Sequence, residues 1–274
     1  VTGQPSIALN DGHAIPQLGL GVWRTPPSST AETVRIALDG GYRHIDTAMI
    51  YGNEQGVGEG IRRSEISREA VFVTTKVWNS EHGFDSALRA FDDSLRRLGL
   101  AYLDLYLIHW PSAARGLYVE TWRALVRLKE DGRVRSIGVS NFGLDELDRI
   151  IGESGVTPVL NQVELHPRFQ QIALREGHAE RGIATEAWSP LGQGSLFDDP
   201  AIRAIAAKHG RTPAQVIIRW HLDNGVIAIP KSSRPSRIAE NFDVFGFSLD
   251  AEDLAAIREM DSGRGRVGPD PRRF

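Results

Sequence analysis

YRHID (residues 42–46), VFVTTK (71–76) and LDLYLIH (103–109) decide how this chain folds. Each is a short, largely apolar run that closes on an ionisable residue: Asp46, Lys76 or His109. The segments between them read differently. NEQGVGEGIRRS (53–64) and DSALRAFDDSLRRLG (85–99) carry apolar residues at helical spacing, and Asn53 is placed to cap the first. Strand, helix, strand, helix predicts a parallel sheet covered by helices. If the three strands are neighbours, their ionisable ends meet at one mouth of the sheet. Tyr51, in AMIYGNE (48–54), lies close enough along the chain to join them.

The same alternation continues in both directions. GLGV (19–22) reads as a strand and TAETVRIALDGG (30–41) as a helix, with Val34, Ala37 and Leu38 at helical spacing. YVETWRALVRLKEDG (118–132) is a predicted helix ending at Gly132, a left-handed cap. VRSIGVSN (134–141), VLNQVEL (159–165), IATEAWSP (183–190) and VIAIP (226–230) are further strands, with helices at 144–154 and 171–181 between them. Two helices follow the seventh strand (200–210 and 212–225, the second opening on Thr212-Pro213), and two follow the eighth (235–244 and 250–260). Ahead of everything, SIAL (6–9) and HAIPQL (13–18) flank Asp11-Gly12, a hairpin turn. The expected fold is therefore α/β: a single (β/α)8 TIM barrel domain over residues 1–274, with an N-terminal β-hairpin and two extra helices.

The whole-chain properties agree. A chain of 274 residues with 41% hydrophobic content suits one large barrel, and no apolar run is long enough to span a membrane. A net charge of −3 with interspersed signs argues against nucleic-acid or membrane-surface partners. Zero cysteines exclude disulfides, thiolate zinc sites and a cysteine nucleophile. The first residues lack a basic-then-apolar leader pattern, so a cytoplasmic protein is expected, and nothing demands more than a monomer.

Active sites of such barrels lie at the C-terminal mouth of the strands. That layer reads Asp46, Lys76, His109, Ser140 and Asn141, Gln162 and Glu164, Glu186 and Ser189, then Lys231, above interiors of Val, Ile and Leu. Period-two alternation puts Asp46 on one face with His44, and Lys76 with Thr74, so Asp46 and Lys76 can pair across adjacent strands. Tyr51 would fold over that pair. A neighbouring ammonium is expected to lower a phenol from its usual ~10, making Tyr51 a general acid at a carbonyl oxygen, with His109 hydrogen-bonded to the same oxygen. His44, one layer lower, reads as a core histidine.

Trp23, Trp78, Trp110 and Trp188 each stand at or just past a strand end and could wall an apolar cleft, whereas Trp122 and Trp220 sit inside helices as packing residues. Lys231, Arg234 and Arg237 crowd the start of the helix after strand eight, beside Ser232, Ser233 and Ser236. A helix start of this kind takes an anion, such as a phosphorylated cofactor. The glycine patterns at 19–21 and 56–60 lack the spacing of a dinucleotide fingerprint, and no HxH, HExxH or P-loop occurs.

Taken together, GYRHIDTAMIYGNEQGVG, LYLIHWP, GVSNF, NQVELHP, SPLGQG and IPKS…RIAEN resemble the aldo-keto reductases, over roughly Pro5 to Gly268. Within that family the chain is most similar to prokaryotic 2,5-diketo-D-gluconate reductases. The resemblance implies an NADP-dependent oxidoreductase that uses NADPH, without metal, to reduce aldehydes, dicarbonyls or keto-sugars. It implies Tyr51 as proton donor, Lys76 and Asp46 as its tuning pair, and His109 as the orienting hydrogen bond. Ser140, Asn141 and Gln162 would hold the nicotinamide amide, with Trp188 stacked on its ring. Ser189, Leu191, Gly192, Gln193 and Gly194 would lie along the pyrophosphate. Lys231, Ser232, Ser233, Arg234 and Arg237 would surround the 2′-phosphate, and Glu240 and Asn241 would face the adenine; Gly21 and Val22 complete the cofactor set. Trp23, Met49, Ile50, Trp78 and Trp110 would form the substrate wall. The loop PSAARGLY (111–118) and the Arg-rich tail after Met260 are short, which suggests an open pocket unlike a steroid site. Arg234 stands where many relatives carry a small polar residue. A cofactor-sensing binding module and a metal-dependent barrel hydrolase are the alternatives. The complete tetrad speaks against the first, and Lys76 would repel the second's cation.

Overall fold

The computed structural model describes residues 4–274. A short hairpin, β1 (Ser6–Ala8) and β2 (Ala14–Pro16), precedes eight parallel strands. These are β3 (Leu20–Gly21), β4 (His44–Asp46), β5 (Phe72–Val77), β6 (Leu103–Ile108), β7 (Val134–Ser140), β8 (Leu160–Glu164), β9 (Ala184–Trp188) and β10 (Ile227–Ala228), hydrogen-bonded in chain order. Helices α1 (Pro27–Asp39), α2 (Glu54–Arg63), α3 (Phe84–Leu98), α4 (Tyr118–Glu130), α5 (Leu144–Ser154) and α6 (Ile172–Glu180) follow the first six of these strands. The pair α7 (Pro200–His209) and α8 (Pro213–Asp223) follows β9, and α9 (Pro235–Phe242) and α10 (Ala251–Arg258) follow β10.

The first and last strands close the barrel by sparse contacts. Leu18 bridges Ala228 and Gly21 bridges Lys231, both parallel, and the Gly21 amide donates to the Pro230 carbonyl at 3.2 Å. A Cβ at Gly21 would sit 2.8 Å from the Ile229 carbonyl oxygen, so glycine permits this approach. Inside, Leu105, Leu107, Leu160 and Ile227 pack in one cluster with Ile15 of the hairpin. The hairpin thus seals the bottom of the barrel. Two further clusters join strand and helix faces, with Trp122 in one and Trp220 in the other, both almost wholly buried as packing residues. Among the described residues, no helix is long and apolar enough to cross a membrane.

Two local expectations change. Helix α1 begins at Pro27 rather than Thr30, because proline suits the first helical position. Asn53 occupies the N-cap position of α2 without capping it. Its side chain instead accepts from the Thr47 hydroxyl at 2.9 Å and donates to the carbonyls of Val22 and Thr25 at 2.9 and 3.3 Å. It ties the loop after β4 to the exit of β3.

Candidate active site

Tyr51 closes a single helical turn, Met49–Tyr51, between β4 and α2. Gly52 ends that turn at φ 67°, a left-handed conformation that glycine adopts at little cost. Behind the turn, Glu54 anchors α2: it accepts from the Thr75 hydroxyl of β5 and from Arg97 of α3, both at 2.6 Å. The position of Tyr51 is thereby tied to the strand that carries Lys76.

Lys76 is wholly buried and donates to Asp46 Oδ1 at 2.6 Å and to the Thr47 carbonyl at 2.9 Å. Its ammonium lies 5.4 Å from the centre of the Tyr51 ring. His109 meets the Tyr51 ring edge-on at 5.7 Å. The four ionisable groups expected to converge do so. Burial acts against the Lys76 charge, but Asp46, Tyr51 and Glu186 outweigh it and hold the ammonium above its ordinary value. Burial pushes the Asp46 carboxyl up, against the pull of Lys76 and Gln162. Burial and the neighbouring ammonium push His109 well below the usual imidazole range, so it is neutral.

The expected lowering of Tyr51 is corrected. Burial of the phenol is the largest influence and raises it; Lys76 pulls it down, Asp46 pushes it up, and the net direction is upward. Proximity to Lys76 suggests the opposite, because spacing reveals a neighbouring charge but not how much protein packs around this half-buried phenol. Lys76 here limits the rise and does not reverse it.

A second polar layer connects strands across the lumen. Gln162 of β8 donates from one amide nitrogen to Asp46 Oδ2 and to Glu186 Oε2, each at 2.8 Å. Glu186 Oε1 stands 3.6 Å from Nε2 of His44, which is fully buried and held down to about 3 by that burial. His44 is the core residue its position suggested. Glu186 was legible as a polar strand end, but its link to Asp46 through Gln162 required the closed barrel.

A cavity of about 1200 Å³ opens above these groups. Gly21, Trp23, Asp46, Ile50, Tyr51, Trp78, His109 and Trp110 line one side; Ser140, Asn141, Gln162 and Trp188 line the floor. Ser189, Leu191, Gln193 and Gly194 continue toward Lys231, Ser232, Arg237, Glu240 and Asn241. Val22, Met49, Lys76, Gly192, Ser233 and Arg234 lie off its surface. The loop after β9 enters the left-handed region at Ser189, Gly192, Gln193 and Gly194. Ser140 and Asn141 are tied to protein: Ser140 donates to the Gln162 carbonyl at 2.7 Å, and Asn141 donates to the His109 carbonyl at 2.9 Å. Asn141 also accepts from the Trp188 indole at 2.8 Å, which fixes that ring. Among the described residues, Lys231, Arg234 and Arg237 take part in no ion pair, and the first and last face the cavity at the start of α9.

The tail adds what the sequence reading missed. The buried Glu164 carboxylate accepts from the backbone amides of Val267 and Gly268 at 2.5 and 2.9 Å. The chain passes so close to Trp188 that a side chain at Gly268 would strike the ring. Phe274 then lies 4.3 Å from Trp110 and 6.0 Å from Trp78, measured between ring centres. The tail is short, yet it crosses the mouth and narrows the pocket that its length had suggested would be open. Among the described residues, no three His, Asp or Glu side chains come together as metal ligands.

Known proteins are similar to this chain over most of its length. The family described as Aldo/keto reductase family matches residues 16–262. An "Aldo-keto reductase" of Mycobacterium sp. (strain KMS) is 55% identical, covering 99% of this chain and 98% of its own. The "Methylglyoxal reductase DkgA" of Escherichia coli (strain K12) is 50% identical, covering 98% of this chain and 97% of its own. Among solved structures, a mutant of Gox0644 in complex with NADPH superposes with a TM-score of 0.95 at 58% identity, covering 98% of each chain.

Proposed function

The chain belongs to the aldo/keto reductase family, and we propose that it reduces small aldehydes, dicarbonyls and keto-sugars to alcohols with NADPH. The observation that carries this reading is the phenol of Tyr51 on the cavity wall, backed by the buried Lys76–Asp46 pair and edged by neutral His109. When bound, NADPH supplies the hydride. The chain's own residues fit it: Trp188 presents a fixed ring, and Gln162 lines the cavity with its amide nitrogen committed to two carboxyls, which leaves its carbonyl oxygen free to accept. Lys231 and Arg237 offer unneutralised charge where a 2′-phosphate would lie.

Tyr51 holds the proton that the carbonyl oxygen needs as negative charge develops on it. A phenol held above its ordinary value keeps that proton at neutral pH and gives it up only to a strongly basic oxygen. Lys76 stabilises the phenolate that remains, and Asp46 keeps Lys76 charged and in place. Neutral His109 can donate one ring hydrogen to the substrate oxygen and so aim it at Tyr51. Trp23, Trp78, Trp110 and Phe274 enclose the reacting carbon in apolar surface and limit the size of the substrate.

The test is to follow NADPH oxidation with the purified protein against methylglyoxal, nitrobenzaldehyde, diketones and keto-sugars. Turnover of several small carbonyls is expected. No oxidation with any member of the panel would refute the assignment.

A further inference from the structure

Glu186 is a fully buried carboxyl that the proton transfer above leaves without a task. Its Oε2 accepts from Gln162, while its Oε1 has no hydrogen-bond partner. The same Gln162 nitrogen donates to Asp46, so both amide hydrogens lie between two carboxyl groups. Turned over, the amide would aim its carbonyl oxygen at carboxyl oxygens, with no donor to meet it from ionised Asp46. Asp46 therefore fixes the flip of Gln162, and Glu186 Oε2 supplies the second acceptor for its amide hydrogens. Gln162 Oε1 accepts no hydrogen bond among the described residues, and the residue lines the cavity.

The charges around Glu186 can be named from each neighbouring element. Strand β4 brings His44 and Asp46, β5 brings Lys76, β8 brings Gln162, and Tyr51 lies above; β10 places Ile227 alongside and no charge. One ammonium thus faces two carboxyls, and all three groups are almost wholly buried. Burial, reinforced by Asp46, pushes Glu186 up to about 8.

We propose that Glu186 is a positioning residue: its Oε2 takes one of the amide hydrogens of Gln162 and so helps hold that side chain's carbonyl toward the nicotinamide amide, and as a neutral acid it leaves Asp46 the only anion paired with Lys76. This rests on the NADPH-dependent reduction proposed above. Once ionised, Glu186 would place a second negative charge near Tyr51 and make the phenol a poorer acid. Turnover should then fall as pH rises through the titration of Glu186.

The experiment compares wild type with Glu186→Gln and Glu186→Leu. NADPH affinity is read from quenching of tryptophan fluorescence, kcat from pH 6 to 10, and Tm of the cofactor-free protein from pH 5 to 9. Glu186→Leu removes one acceptor from Gln162 and should weaken NADPH about 10-fold. Glu186→Gln, which restores an acceptor, should return affinity to within about 3-fold. In wild type, folding holds the Glu186 proton to a higher pH than the unfolded chain does. Its stability relative to Glu186→Gln should therefore drop from about pH 5 and level off above about 8. The alkaline fall in kcat should be absent from Glu186→Gln. NADPH affinity unchanged in Glu186→Leu, or a wild-type Tm that tracks Glu186→Gln across this range, would overturn the proposal. If Glu186→Leu does not fold, the Glu186→Gln comparison alone decides. Wild type that neither binds NADPH nor turns over carbonyls refutes the parent function; an active wild type with unresponsive variants refutes only Glu186.

Discussion

Lys76 illustrates how a charge survives inside this barrel. Its ammonium has no exposed surface, yet one carboxylate and one carbonyl take its hydrogens, and the Asp46 charge helps keep it protonated. Breaking such a pair from one side leaves a buried charge uncompensated. Lys76→Met should therefore cost about 3–5 kcal/mol in urea unfolding, and a loss below about 1 kcal/mol would contradict the pairing. His109 supplies a second residue-level expectation. Because its imidazole is held far below the usual range, it stays neutral through mild acid, and kcat should show no acid limb near the ordinary histidine value of about 6.5. A limb there that disappears in His109→Gln would mean the imidazole titrates normally. Arg237 tests the cofactor's far end: Arg237→Ala should weaken NADPH far more than NADH. Equal loss for both would remove it from the 2′-phosphate.

At the level of elements, the tail and α8 carry separate roles. Glu164 holds the tail by two backbone amides, with Arg266 stacked over Phe169 at 4.5 Å. Replacing the carboxylate by Gln in Glu164→Gln weakens both contacts, since bonds to a charged acceptor are the stronger kind. Trypsin should then cut sooner at Arg264 or Arg266 than in wild type; an unchanged rate would mean the tail is held elsewhere. Helix α8 opens with a reciprocal cap in which Thr212 accepts from the Gln215 amide and Gln215 accepts from the Thr212 amide, at 3.3 and 3.0 Å. Thr212→Ala should cost about 1 kcal/mol, visible as a Tm lowered by roughly 2–4 °C. These two elements were legible to different degrees. Thr212-Pro213 announces a helix start in the sequence, because capping is local. The path of the tail depends on a carboxylate about a hundred positions away in the chain, and no local pattern encodes that meeting.

Across the whole molecule, the same distinction between local and closed-barrel information holds. Alternating runs such as YRHID and VFVTTK carry their strand order and their polar tips in plain view, so the barrel and the meeting of Asp46, Tyr51, Lys76 and His109 could be read directly. The contact from Asp46 to Gln162 crosses the lumen and exists only after β3 and β10 close. The upward shift of Tyr51 likewise depends on burial, which spacing cannot measure. Burial also sets the response to acid. His44 and His221 are held down to about 3, and His82 and His178 to about 4, so the unfolded chain binds more protons than the folded one below the ordinary histidine value. Tm should fall as pH drops from about 6.5 toward 4, the four histidines together outweighing the contrary effect of the raised Glu186. If Tyr51 gives its proton to a carbonyl reduced by NADPH, removing its hydroxyl must stop turnover without releasing the cofactor, which kcat and NADPH affinity of Tyr51→Phe beside wild type on methylglyoxal will show. The expected result is at least a ~100-fold loss of kcat with affinity retained. Near-normal turnover by Tyr51→Phe would contradict it.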